Sequence, residues 1–232
     1  MQEEQEVRQV ASPCLSGPRQ TVLVRFPDDR IFEAPVGTPL ESFIRAAYED
    51  PPVPIVAGLG NCKLHELTSP VMHDMEIAPL SIANSDGFRI YRRSLTFLFV
   101  VAAQQLFPEA RVYVDHSLTF GGFFCEVRGR DAFTPQEVAR LQERMEELAA
   151  QDAPIRKRRV PLAEAVALFE ARGQEDKLRL LRYRRKDYVT LYRLFGVDDY
   201  FHGYMVPSTG YLRYFALQHY PPGLILRFPR PE

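Results

Sequence analysis

The chain has 232 residues, 46% hydrophobic and 25% charged, with a formal net charge of −1. That is enough chain for one large or two smaller cores, with no global charge excess of the kind that attracts nucleic acid by itself. Its longest apolar run, around Leu98 to Ala103, falls far short of the ~20 residues a membrane helix needs, the polar start MQEEQEVRQV does not read as a secretory signal, and three scattered cysteines (Cys14, Cys62, Cys125) without Cys-x-x-Cys argue against a disulfide framework and for a reducing, cytoplasmic setting.

Residues 1–19 are polar and carry Pro13, Gly17 and Pro18, the pattern of a disordered lead-in. QTVLVRFPDDRIFE (20–33) alternates around Pro27-Asp28-Asp29 and predicts a hairpin. Next comes a helix with Thr38 as N-cap, Pro39 in its first turn, and Leu40, Phe43, Ile44 and Ala47 on one face. The short β-type pieces PIVAGLG and CKLHEL follow, with further pieces at Met75–Pro79 and Ser81-Ile82. A hairpin, one helix and short strands within about 65 residues fit a small β-grasp sheet on a single helix.

Asn84-Ser85-Asp86-Gly87 is the expected boundary, giving domains 20–85 and 86–232. From Arg89, the spacing of Leu95, Leu98, Phe99, Ala102 and Leu106 predicts a helix ending before Pro108. ARVYVDHS and GGFFCEVRG read as strands, and Thr134-Pro135-Gln136-Glu137 opens the helix PQEVARLQERMEELAAQ with a capping box. A basic strand (IRKRRVPL), two helices (LAEAVALFEARG and QEDKLRLLRYRRK) and three or four antiparallel strands over the aromatic tail complete an α+β unit.

Several chemistries are missing from the pattern. Gly-x-x-x-x-Gly-Lys-Ser/Thr, Gly-x-Ser-x-Gly and His-Glu-x-x-His do not occur. The five histidines are not paired at helical spacing, and His116 with Cys125, nine residues apart, supplies two ligands where zinc needs at least three. No metal and no cofactor is therefore expected, and Cys125 reads as a small buried hydrophobe. Residues 156–193 carry twelve Lys/Arg against five Asp/Glu, a local excess of seven. Arg156, Lys157, Arg158, Arg159, Arg182, Arg184, Arg185 and Lys186, interleaved with Tyr183, Tyr188 and Tyr192, are nucleic-acid-binding candidates, against the alternatives of a solvated basic face and tyrosines of a strand core.

V-x-F-P-D-D, the Gly37-Thr38-Pro39-Leu40 helix start, IVAG at 55–58 and L-x-x-P-V at 67–71 resemble a TGS domain, the ubiquitin-like β-grasp module of threonyl-tRNA synthetases and some GTPases. The stretch 88–219 is similar to the second additional, editing domain of threonyl-tRNA synthetase, shared with alanyl-type synthetases. That family opens its first helix with His-x-x-x-His and runs a Cys-x-x-x-His pair into Val-Pro-Ser-Thr-Gly. Here Arg93, Phe97, Phe201 and Met205 stand at those four positions, while Val206-Pro207-Ser208-Thr209-Gly210 is kept. Arginine and phenylalanine do not ligate zinc and a thioether suits it poorly, so the family's deacylation chemistry is not expected.

Y-R-R-S (91–94), D-H-S (115–117) and Y-F-x-G-x-M-V-P-S-T-G together resemble the N-terminal half of uridine kinase-like nucleoside kinases, whose phosphotransferase domain lies C-terminal to such a region. The resemblance implies a non-catalytic accessory module that binds RNA, a nucleotide or a partner domain. Its pocket would be lined by Arg92, Arg93, His116, Ser117, His202, Ser208 and Thr209. A fixed cation at Arg93 suits a phosphate or carboxylate, unless Asp115 or Glu126 pairs with it. The other reading is a stand-alone deacylase using His116 or His202 as general base.

Overall fold

The structure, a computed structural model, describes residues 17–119 and 121–229. The lead-in expected over 1–19 therefore lies outside the described residues up to residue 16, and Cys14 with it.

The first hairpin forms as its alternation dictates. β1 (Thr21–Arg25) and β2 (Ile31–Pro35) pair antiparallel with Arg25 opposite Ile31, and Asp29 takes a left-handed φ of 63° in the turn. Helix α1 (Leu40–Ala47) buries the four residues its spacing named, Leu40, Phe43, Ile44 and Ala47. Its cap differs from expectation. Pro39 is the N-cap and supplies no side-chain bond, while Thr38 spends its hydroxyl on the carbonyl of Pro35 (2.8 Å). The first helical amides are satisfied from elsewhere in the fold: Leu40 donates to Ser69 O (3.0 Å) and Glu41 to Leu67 O (2.8 Å), which meets the helix-start requirement without a capping side chain.

Strands β3 (Ile55–Gly60) and β4 (Lys63–Glu66) follow, then β5 (Met75–Glu76) and β6 (Ala78–Ser81). Asn61 and Cys62, both left-handed, close the β3–β4 turn. The strands form two three-stranded sheets, β2-β1-β5, with β1 and β5 parallel, and β4-β3-β6. α1 shares one apolar core with Val22, Val24, Phe26, Ile55, Leu67 and Ile77.

Helix α2 (Ser85–Leu106) starts four residues before the expected start at Arg89, where the Asn84 side chain accepts from Asp86 N (3.0 Å). The helix lies close on β6. A Cβ on Gly87 would stand 2.1 Å from Ser81 O, and Val56, Ala57, Leu80 and Ile82 belong to the same core as α2. Strands β7 (Arg111–Ser117) and β8 (Phe123–Arg128) precede α3 (Pro135–Ala150), which opens with the Thr134–Glu137 capping box. Then come β9 (Arg156–Pro161), α4 (Leu162–Ala171), α5 (Glu175–Arg182), β10 (Tyr188–Leu194), β11 (Val197–Asp199), β12 (Ala216–Tyr220) and β13 (Gly223–Arg227).

The architecture is α+β with antiparallel sheets in its second half. The four tail strands do form, but in two different sheets: β12-β13-β8-β7 and β11-β10-β9. The cores explain the split. Leu224 and Leu226 of β13 pack with α2 and α3, whereas Val189 and Leu191 of β10 pack with Val160, Phe169 and Leu181. Residues 200–215, between the two pairs, contain no strand, so Val206–Gly210 is not a hairpin corner.

Candidate functional site

Arg93 and Phe97, four apart on α2, lie on one helix face, with Ser94 beside them. All three meet the segment 201–206. Ser94 donates its hydroxyl to Ile90 O (2.8 Å) and accepts from Val206 N (3.0 Å), fixing the segment's exit. Its entry is held by Asp199, which accepts from Tyr200 N (2.7 Å) and pairs with Lys177. Between these pins the rings of Phe97 and Phe201 stand 5.2 Å apart and Met205 is only 1% exposed. The fold thus brings Arg93, Phe97, Phe201 and Met205 to one place. Among the described residues no three of His, Cys, Asp or Glu stand close enough together to hold a metal ion.

Arg93 is half-buried and donates to Tyr204 O (2.5 Å). Tyr192 donates its hydroxyl to Gly203 O (2.6 Å). Gly203 is required twice over: its φ is +105°, and a Cβ there would stand 2.7 Å from Arg93 Nη2. Burial pulls the Arg93 pKa below its ordinary value; the nearby Tyr192 hydroxyl opposes this, and Arg92 and Arg89 add to it. The guanidinium stays charged regardless. The two carboxylates that could have neutralised it are engaged elsewhere, Asp115 with His116 (2.7 Å) and Glu126 with Arg128 (2.8 Å). No ion pair among the described residues includes Arg93. A half-buried cation beside two more cations favours an anion.

A second polar group completes this wall, and nothing in the sequence signalled it. Buried Glu66 of β4 pairs with Lys157 of β9 and accepts from Met205 N (3.3 Å). Lys157 also lies over the rings of Tyr204 (5.0 Å) and Tyr192 (5.8 Å). Glu66 and Lys157 are 91 residues apart, so no local pattern could pair them. Tyr192, a stacking candidate in the sequence, is 3% exposed, and burial pushes its hydroxyl pKa up, leaving it a donor.

Of the other candidate residues, Arg92 and His202 adjoin this site without a bond to Arg93, and His116 and Ser117 lie on β7. Arg92 stacks on Phe88 (5.4 Å) and Phe123 (5.5 Å). His116 and Ser117 sit on β7 opposite Phe124 and Phe123, with the exposed His116 ring 5.4 Å from Phe124. His202 is exposed next to Gly203.

Ser208 and Thr209 are turned to structural use at the end of α3. Ser208 donates to Asp152, and Thr209 donates to Leu148 O (2.7 Å) and accepts from Ala153 N (2.9 Å). Ile155 N to Pro207 O (2.8 Å) and Thr209 N to Ala153 O (2.9 Å) complete a short backbone latch. The hydroxyls of these two residues are therefore spent on residues 148–153.

The basic segment sorts itself by partner. Arg158 and Arg193 share Asp198 (2.9 and 2.5 Å), Arg158 also reaches Glu164 (3.0 Å), and Lys177 and Lys157 are paired as above. Burial alone would raise the Asp198 carboxyl; the hydrogen bond and charge of Arg193, with Arg158, outweigh it and hold the pKa below the usual value. Arg156, Arg182, Arg185 and Lys186 are exposed. A cleft of about 850 Å³, which Arg93 does not line, lies between α1, the end of α3 and residues 210–215, where Tyr211 donates to Glu41 (2.8 Å).

No family model matches the chain. It is similar to threonine–tRNA ligases. The enzyme of Acidovorax sp. (strain JS42) is 32% identical over 163 residues, 70% of this chain and 25% of the ligase. That of Marinobacter nauticus is 34% identical over 163 residues, again 70% and 25%, and that of Xanthomonas euvesicatoria pv. vesicatoria 31% over 165, 70% and 26%. The chain spans about a quarter of the length of the curated relatives it matches. The matched stretches are the N-terminal regions of these ligases, which supports a TGS- and editing-like region in the α+β fold described above. No described helix is long and apolar enough to cross a membrane.

Proposed function

We propose that this chain is an editing-like accessory module of the cytoplasm that holds an anionic group of RNA or of a nucleotide at Arg93 and does not hydrolyse it. The observation that carries this reading is the packing of Phe97 on Phe201 with Met205 buried in the same core. Those positions resemble the ligand and deacylation positions of the synthetase editing domain, and here they are filled by groups that neither coordinate a metal nor move a proton. Arg93 supplies the remaining function, a fixed cation without a carboxylate partner among the described residues. The editing-like similarity to threonine–tRNA ligases makes tRNA one ligand class to test.

The test measures binding of tRNA, uridine, uridine monophosphate and uridine triphosphate to wild type and Arg93→Ala. A charge-assisted contact of about 1.5–3 kcal/mol predicts roughly 10- to 100-fold weaker binding of an anionic ligand. Equal affinities of the two proteins for every probe would defeat the proposal. The same preparations, with and without zinc, should leave mischarged tRNA intact.

One contact favours a second reading, deacylation: Asp115 orients His116 through a 2.7 Å hydrogen bond. Hydrolysis by wild type that His116→Ala removes would establish that reading instead. A finer proposal follows from the Y-R-R-S, D-H-S and V-P-S-T-G resemblance, namely that the module is the N-terminal part of a uridine kinase-like protein with a partner phosphotransferase domain. A Gly-x-x-x-x-Gly-Lys-Ser/Thr loop encoded beyond codon 232 would support it, and a reading frame without one would remove it.

A further inference from the structure

Three cations of the basic segment converge on one ring. The Arg159 guanidinium lies 3.4 Å from the Tyr188 ring centroid, Lys186 Nζ 5.5 Å and the Arg184 guanidinium 5.9 Å. Their neighbours in the segment, Lys157, Arg158, Lys177 and Arg193, are neutralised by Glu66, Asp198, Glu164 and Asp199. No ion pair among the described residues includes Arg159, Arg184 or Lys186, although Asp187 stands next to Lys186 in the chain. Three of the segment's uncompensated cations thus meet at one end of the β9–β10 pair, while exposed Arg156 stands at the other end, opposite Arg193.

We propose that Arg159, Arg184 and Lys186, gathered on the ring of Tyr188, form a phosphate clamp for single-stranded nucleic acid, with Tyr183 as a stacking surface for a base.

The cations are held before any ligand arrives. Arg184 donates through Nε to Tyr188 O (2.6 Å) and lies 3.4 Å from the Tyr200 hydroxyl, while Arg159 is stacked on the ring from the neighbouring strand. Holding them in place lowers the ordering cost that flexible surface lysines and arginines incur on binding. The crowding registers on Tyr188, whose hydroxyl is held below the usual phenol range by its hydrogen bond with Lys186 first, then by the charges of Lys186, Arg159 and Arg184.

The flat groups select single strands. Tyr183 is 88% exposed, an open face for an unstacked base that a duplex does not present, and the guanidinium plane of Arg159 offers another. Two features oppose an anion here, the exposed Asp187 carboxylate and the C-terminal carbonyls of α5. The carbonyls are partly met, since Arg184 N donates to Leu181 O (3.0 Å) and Arg179 and Arg182 occupy the last turn.

The clamp shares no residue with the Arg93 site, and the experiment separates them. A fluorescein-labelled ten-residue oligouridylate is titrated against the full chain between 50 and 200 mM NaCl. Three phosphate contacts at about 0.7 each predict a log–log salt slope of about −2, falling to about −0.7 in the double variant Arg159→Ala, Lys186→Ala. Arg159→Lys, which keeps the charge, should preserve the slope and so exclude misfolding as the cause. Tyr183→Ala should weaken binding roughly ten-fold at unchanged slope. Arg93→Ala should leave the slope alone. Any of three results overturns the clamp: no oligonucleotide binding by wild type, a slope unmoved in the double variant, or duplex or phosphatidylserine vesicles bound better than the single strand. Loss of oligonucleotide binding in Arg93→Ala alone would overturn it too, while leaving the Arg93 proposal standing.

Discussion

Thr209→Val tests whether the Val-Pro-Ser-Thr-Gly stretch serves the fold rather than a ligand. The threonine is fully buried; its hydroxyl donates to Leu148 O at 2.7 Å and accepts from Ala153 N at 2.9 Å. Valine matches its volume, so no cavity forms, and the whole effect comes from two lost hydrogen bonds and the groups they leave behind. At about 1 kcal/mol for each net bond, plus the penalty for leaving Leu148 O and Ala153 N without that partner, the expected loss is roughly 2–4 kcal/mol. For a chain of this size that lowers Tm by roughly 5–15 °C. Thermal melts followed by circular dichroism read the shift, and titration of the folded variant with the best ligand of the Arg93 site should give wild-type affinity. A melt within about 1 °C of wild type, or a folded variant that no longer binds, would refute the argument that this hydroxyl is a latch.

Gly203→Ala should cost on the order of 1–3 kcal/mol, from left-handed backbone strain and the clash with Arg93. In an Arg93→Ala background only the strain remains, so urea melts of the four proteins should show positive coupling; strict additivity would mean the contact is not tight. Asp198 has a depressed pKa, so its contribution is complete above the unfolded carboxylate value near 3.9 and is lost as pH falls through the lower folded value. The stability gap between wild type and Asp198→Asn should accordingly be constant from about pH 5 to 7 and shrink below about pH 4, and a gap that widens on acidification would contradict this. Burial pushes the Cys125 thiol up to about 12. In a Cys14→Ser, Cys62→Ser protein it should resist a disulfide-exchange reagent at pH 8 until denaturant is added; stoichiometric reaction in the folded state would show β8 opening.

Local patterns carried much of the fold. Alternation around Pro27-Asp28-Asp29 marked the β1–β2 hairpin, because a two-residue period and a turn are properties of adjacent residues. The apolar spacing of α1 and the Thr134–Glu137 capping box were legible for the same reason, each depending on side chains within one or two helical turns. The α1 cap was not legible, since its amides are satisfied by carbonyls near residue 68, brought there only by folding. Nor was the division of the tail strands between two sheets, because both pairs alternate alike and only their burial against different cores separates them.

At the candidate site the sequence determined the residue types: an arginine, two phenylalanines and a methionine where a related pattern places groups that coordinate or react. Tertiary structure decided what those residues do. It packed the rings together, left Arg93 without a carboxylate by pairing Asp115 and Glu126 with their own neighbours, and drew Ser208 and Thr209 away to α3. It also split one run of basic residues into neutralised and free members. Charge is written in composition, but whether a charge is compensated depends on distances of a few ångströms between segments such as Glu66 and Lys157, and only the folded chain sets those.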